Sequence, residues 1–148
     1  MAKIQAAQAF LQEKFQAEDF MLLWLRMWIA HVFFVSGRLK TGGSLLTPTD
    51  MAITLFQDEY RLPLISPEVA AYMSVYAETF LPILLMLGLF ARVGAAGLLG
   101  MALVIQFLVY PGHFSEHLTW MAALLAILVL GAGRVSLDHL IQRFSRRT

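Results

Sequence analysis

The chain is 148 residues long, 59% hydrophobic and only 14% charged, with a formal net charge of +1 and a mean hydropathy of +0.68. A water-facing domain carries about 25% charged residues, so this composition excludes an ordinary soluble surface and puts the chain in the membrane class. The near-neutral balance, with no basic stripe in the middle of the chain, gives no footprint for nucleic acid, and the absence of cysteine excludes disulfides, thiolate ligands and a thiol redox centre within the chain.

Residues 3–18 read as a short amphipathic helix. Ile4, Ala7, Leu11 and Phe15 fall near one stripe and Gln5, Gln8, Gln12 and Gln16 fall elsewhere, so the segment lies either on a membrane surface or in solvent. Its charges, Lys3, Glu13, Lys14, Glu18 and Asp19, deny it the apolar core of a signal peptide, which leaves targeting to the first hydrophobic span.

That span runs roughly Phe20–Leu39 and is interrupted by Arg26 and His31. A bilayer core about 30 Å thick needs about 20 helical residues, and the stretch is long enough. Residues 41–67 form the sizeable polar loop, within which Thr49–Glu59 reads as a short helix whose Met51, Ile53, Leu55 and Phe56 lie on the membrane or cap the bundle. The second span, about Val69–Phe90, holds Glu78 and Pro82. A tight turn at Ala91–Arg92 leads to the third span, about Val93–Tyr110, which Pro111 and Gly112 break. The fourth and shortest span, about 116–132, ends at glycines and is followed by a basic tail over 134–148. The expected architecture is therefore all-α: an integral membrane four-helix bundle with an amphipathic leader and one long loop.

Lysines and arginines set the orientation. Lys3, Lys14, Arg92, Arg134, Arg143, Arg146 and Arg147 share one side, against Arg38, Lys40 and Arg61 on the other. The excess puts both termini in the cytoplasm and the long loop outside, with Tyr110 and Trp120 near the outer interface. In the third span Ala91, Gly94, Ala95, Gly97 and Gly100 allow close helix packing, and the short third and fourth spans allow a homodimer without requiring one.

Ionisable groups at bilayer depth cost about 2.5–3.5 kcal/mol on insertion scales and need a partner or a wet cavity. Three such groups stand out: Arg26, His31 and Glu78. If the spans end flush, His31 and Glu78 lie about 16 and 18 Å from the inner edge, with Arg26 only about 9 Å in. Glu78 is then central and pairs with His31, with Arg26, or with both through water. The pair either holds two helices in register or serves as a proton relay or polar anchor for a ligand. Gln106 reads as an interhelical hydrogen-bond donor. His113 and His117 are four apart, a spacing that lets two imidazoles share a metal on a helix, but they lack a third fixed ligand and read first as an interfacial loop. No haem, nucleotide-loop or thiolate motif is present.

The residues resemble the DoxX family of small four-helix bacterial membrane proteins over roughly Leu22–Ile141. Leu23-Trp24-Leu25-Arg26, followed by Gly37-Arg38-Leu39-Lys40, looks like the family's Leu-Arg start and Gly-x-x-Lys exit. Ala77-Glu78 with Gly88-Leu89-Phe90-Ala91-Arg92 is similar to its acidic second span and Gly-Leu-x-x-Arg turn, and Gly131 to Asp138 looks like its tail. The resemblance implies a multi-pass protein of the bacterial inner membrane, tied to redox or stress-response systems. It implies partner redox subunits and a quinone as the ligand to test. It marks Arg26, Glu78 and Arg92 as polar positions and gives no support to a metal role for His113 and His117. Three roles are open on these grounds: a subunit or anchor handling quinone near Glu78, a non-catalytic scaffold, and a metal or solute transporter.

Overall fold

The computed structural model describes residues 17–145; the leader expected over 3–18 falls almost wholly outside them, as do Arg146 and Arg147. The described residues form α1 (Ala17–Thr41), α2 (Asp50–Asp58), α3 (Pro67–Leu87), α4 (Ala91–Val104) with a π-helical continuation Ile105–Val109, α5 (Phe114–Leu130) and α6 (Leu137–Ser145). Three segments, Ala17–Thr41, Pro67–Leu87 and Ala91–Val109, are long and apolar enough to cross a membrane, and α5 is a shorter apolar helix. They coincide with the four expected spans to within a few residues at each end.

Local chemistry sets several of these boundaries. Ser66 caps α3 by accepting the Val69 N–H, with Pro67 in the first turn, where its missing N–H costs nothing. Thr49 caps α2 by accepting the Ala52 N–H, so the short helix expected from Thr49 to Glu59 is present with those two residues as its caps.

In the bundle, α1 packs on α3 and α5, and α4 packs on the same two helices. The core joins Ile29, Ala30 and Phe33 of α1 to Leu85, to Ala91, Ala95, Leu98 and Ala102 of α4, and to Leu124 and Ile127 of α5. Alanines on α4 let its neighbours approach closely. A Cβ at Gly94 would lie 3.2 Å from the Leu81 carbonyl, and one at Gly97 would lie 2.6 Å from Leu81 Cδ1. These two glycines therefore serve contact within the chain. Gly100, one turn further, has nothing within 4 Å of a Cβ. The helices α3 and α4 are close at their shared turn and diverge away from it.

The segment after α5 folds back beneath that turn. Arg26, fully buried, donates to the Leu85 carbonyl at 3.1 Å and to the Val135 carbonyl. Asp19 accepts from the Arg134 N–H at 2.7 Å. Asp138 supplies what the sequence of the turn lacks. Phe90, at the amino end of α4, has left-handed backbone (φ 47°) and no capping side chain. The two carboxylate oxygens of Asp138 accept the N–H groups of Phe90 and Ala91 at 2.8 and 3.0 Å, and its own N–H donates to the Gly88 carbonyl at 2.9 Å. A carboxylate at a helix amino terminus also opposes the positive end of the helix dipole.

This arrangement corrects the expected register. Arg26 is level with the end of α3, not partway along it, and the tail occupies the space beside the first two turns of α1. The spans do not end flush. Within the basic tail, residues 137–145 are helical.

Replacing Asp138 with Ala is expected to cost about 1–2 kcal/mol, the range for a lost cap plus its dipole contribution. Asp138→Asn, which keeps one acceptor oxygen, should lose less. Thermal unfolding of the three proteins in one detergent checks the order.

Candidate functional site

Glu78 is buried on α3 and faces the last turn of α1. Lys40 Nζ donates to Glu78 Oε2 at 2.7 Å and to Oε1 at 2.9 Å. The side chains are only 11% and 3% exposed, so this is a buried ion pair. Two serines complete it. Ser36 Oγ accepts from Lys40 Nζ at 2.9 Å and donates to Glu78 Oε1 at 3.1 Å, and Ser74 Oγ donates to Oε2 at 3.2 Å. The three ammonium donors and both carboxylate oxygens are all engaged.

The local sequence explains the fit. Ser36 and Lys40 are four apart on α1, as are Ser74 and Glu78 on α3, and residues four apart share a helix face. Gly37 brings the faces together: a Cβ there would lie 2.8 Å from Glu78 Cβ and 3.2 Å from the Glu78 carbonyl oxygen. Pro82, four residues after Glu78, has no N–H to give that carbonyl. Beside the pair, Arg38 donates to Thr79 Oγ1 and to the Leu45 carbonyl at 2.7 Å, a second tie between the same helices.

Neither partner expected for Glu78 is its partner. Gly37 is opposite Glu78, and Arg26 is eleven residues earlier on α1, about 16 Å away along the axis. Arg26 instead bonds the Leu85 and Val135 carbonyls. His31 is on the exposed face of α1. Arg92 is exposed and donates to the Val129 carbonyl at 3.0 Å, in the α3–α4 turn far from Glu78. Lys40 was the missed residue. It reads as the basic exit of the first span, yet the paired i, i+4 spacing and the intervening glycine were the available signal.

The ion pair borders a cavity of about 660 Å³, within the range of about 300–1,000 Å³ for small-molecule sites. Its walls come from α1, α2, α3, α4 with its π turn, and α5; much of the surface is apolar, through residues such as Val32, Phe33, Leu62 and Met101. Met73 and Val104 line it while being 57% and 38% exposed. The cavity therefore reaches the outer surface of the bundle between α3 and α4, where those helices diverge.

His113 and His117 line this cavity, and Gln106 is buried behind His117. The π turn, closed by the Tyr110 N–H on the Ile105 carbonyl at 2.7 Å, buries Gln106. Its Nε2 donates to the Pro111 carbonyl at 2.9 Å, and its Oε1 is 2.7 Å from His117 Nδ1. Because the Pro111 carbonyl only accepts, the amide is oriented and His117 Nδ1 carries the hydrogen. Gln106 thus links α4 to α5 as an acceptor, not as the expected donor. His113 and His117 have ring centroids 6.2 Å apart, and among the described residues no group of three or more His, Asp or Glu could hold a metal ion.

Aromatic contacts continue from His117 to both sides. Its ring is 5.0 Å from Trp120, and His113 is 5.5 Å from Tyr110. Tyr110 stands edge-on to Tyr60 at 5.5 Å and donates to Glu59 Oε2 at 2.7 Å. That hydrogen bond, then Tyr60 beside it, raises the phenol's pKa above its ordinary value. The contact clasps the end of α2 to the end of α4, beside the cavity wall that Tyr60 and Tyr110 form.

Lys40→Met leaves a buried carboxylate without its counter-charge and is expected to cost about 3–5 kcal/mol, whereas Lys40→Met with Glu78→Met removes both charges and should recover most of that loss. A double-mutant cycle by denaturant unfolding in matched micelles checks the coupling.

No curated protein and no solved structure matches the chain. The family model of DoxX matches residues 21–111, which runs from the first turns of α1 through the end of α4 and carries Arg26, Lys40, Glu78 and Arg92; the tail, Gly131 to Asp138, is outside the match. With helices of membrane-spanning length and this match across more than half its residues, the protein is a multi-pass membrane protein that belongs to the DoxX family.

Proposed function

We propose that the cavity beside Lys40 and Glu78 binds a lipophilic, carbonyl-bearing ring compound of the quinone class, drawn from the bilayer through the gap between α3 and α4. The observation that carries this reading is the junction of a buried, hydrogen-bonded ion pair with a largely apolar cavity whose walls include the exposed Met73 of α3 and Val104 of α4. A ring with a hydrocarbon tail suits such walls. Lys40, Ser36 and Ser74 line the base of the cavity; their donors are engaged within the quartet, so a ligand carbonyl is bound there by exchanging one of those hydrogen bonds from Glu78 to itself, while the remaining bonds keep the ammonium aimed.

On this reading the chain is a quinone-handling subunit or anchor of a redox or stress-response system in the bacterial inner membrane, working beside a partner redox protein. Both termini face the cytoplasm, as the lysine and arginine distribution favours. Arg26, Arg92 and Asp138 then brace the cytoplasmic end.

A second reading has its own support. The ion pair and its two serines satisfy one another fully, as a purely structural tie between α1 and α3 would. The protein is then a scaffold whose polar groups fix helix register.

Binding of a short-chain benzoquinone to the purified protein in nanodiscs separates the two. Ala77→Phe, which fills the cavity from a wall position and leaves the ion pair in place, is expected to abolish binding. Glu78→Gln is expected to weaken it about tenfold or more, or about 1.4 kcal/mol. Affinity unchanged in both variants, with a lower melting temperature in Glu78→Gln alone, would leave only the scaffold.

A further inference from the structure

The last described helix has a face that no other described residue covers. In α6, Leu137, Leu140, Ile141 and Phe144 recur at helical spacing, i, i+3, i+4, i+7. They are 37%, 47%, 56% and 68% exposed, and no residue of α6 is buried. Asp138, His139 and Gln142 occupy the other side and line a polar cleft against the start of α1 and the end of α5. The apolar stripe is therefore turned away from the contacts α6 makes with the other described residues, and its cover comes from outside them.

The anchorage of α6 tells what that cover is. Asp138, in its first turn, is tied to Gly88, Phe90 and Ala91 by three hydrogen bonds. Those residues form the turn between two segments long enough to cross the membrane. A tight turn joining two such segments sits at the membrane surface, so α6 is held at that level. Its neighbours there include Leu87, Phe90 and Leu130, themselves 49%, 62% and 51% exposed, which continue the apolar surface of the bundle. Arg143, in the last turn of α6 and three residues after Leu140, flanks the apolar stripe, where its long stem can reach the headgroup layer.

We infer that α6 lies in the headgroup–acyl boundary of the bilayer, with Leu140, Ile141 and Phe144 in the acyl region and Gln142 and His139 in water. It serves as a surface float that bears on the α3–α4 turn through Asp138. An amphipathic helix with aromatic and leucine residues on one face and a basic residue flanking it suits that position.

The absence of native cysteine makes the test clean. Single cysteines at 139, 141, 142 and 144 in the full chain, each carrying a nitroxide and reconstituted in phospholipid nanodiscs, report collisions with oxygen, enriched in lipid, and with a nickel chelate, confined to water. The expected result is an oxygen-to-nickel ratio several-fold higher at 141 and 144 than at 139 and 142. Equal, nickel-dominated ratios at all four positions would overturn the inference by placing α6 in solvent. Labels at 141 and 144 shielded from both reagents and broadened by spin–spin coupling would overturn it by showing a second copy on that face. Positions 141 and 144 are on the uncovered face and 139 and 142 border the open polar cleft, and unchanged melting of each labelled protein shows that it keeps the fold.

Discussion

A carboxylate inside an apolar helix bundle must be compensated, and the way Glu78 is compensated organises much of this molecule. Removing a charge from water costs several kcal/mol even after relaxation, and only a close counter-charge with well-made hydrogen bonds repays it. Lys40 and the two serines meet that demand within 3.2 Å. The geometry works in one register only, with Gly37 against the Glu78 backbone. Sliding α1 by one turn along α3 would leave both charges unpaired and put a side chain where only hydrogen fits. The pair thus selects one alignment of the two helices whether or not it also meets a ligand.

The two ends of the bundle are built on different principles. At the α3–α4 turn, the returning tail, Arg26 and Asp138 consume backbone donors and acceptors that the turn leaves open, and small residues hold α3 against α4. That end is closed. Beyond Gly97 the same helices part, and the volume between them is left to Glu78, Lys40 and a series of rings that runs from Phe33 and Trp120 to Tyr110 and Tyr60. Tightness at one end permits the opening at the other: a hairpin locked at its turn can splay without falling apart.

Most of the architecture was legible in the sequence, because hydropathy and the glycine and proline breaks report directly on spans and turns. The four spans, the short loop helix between Thr49 and Glu59, and the need of a buried Glu78 for a polar partner all follow from that signal. The partner of Glu78 did not, for a physical reason. Depth reckoned from span ends assumes that the helices are flush, whereas α1 is shifted against α3, with Arg26 at the level of Gly88. Lys40, counted as a loop charge for topology, is instead drawn under the surface by its long stem. Likewise, His113 and His117 read as an isolated pair because the sequence does not announce the π turn that brings Gln106 to His117. The helix at 137–145 was written plainly in its apolar spacing but was masked by the arginines around it.

The ion pair can be measured as a distance. The chain contains three lysines, Lys3, Lys14 and Lys40, so solid-state magnetic resonance of protein in lipid, with nitrogen-15 in lysine and carbon-13 in the glutamate carboxyl, gives few signals to assign. The account predicts strong dipolar dephasing between Lys40 Nζ and Glu78 Cδ, corresponding to an ammonium in hydrogen-bond contact with both oxygens at 2.7 and 2.9 Å. A Glu78 carboxyl that shows no dephasing from any lysine would contradict it, and with it the register of α1 on α3.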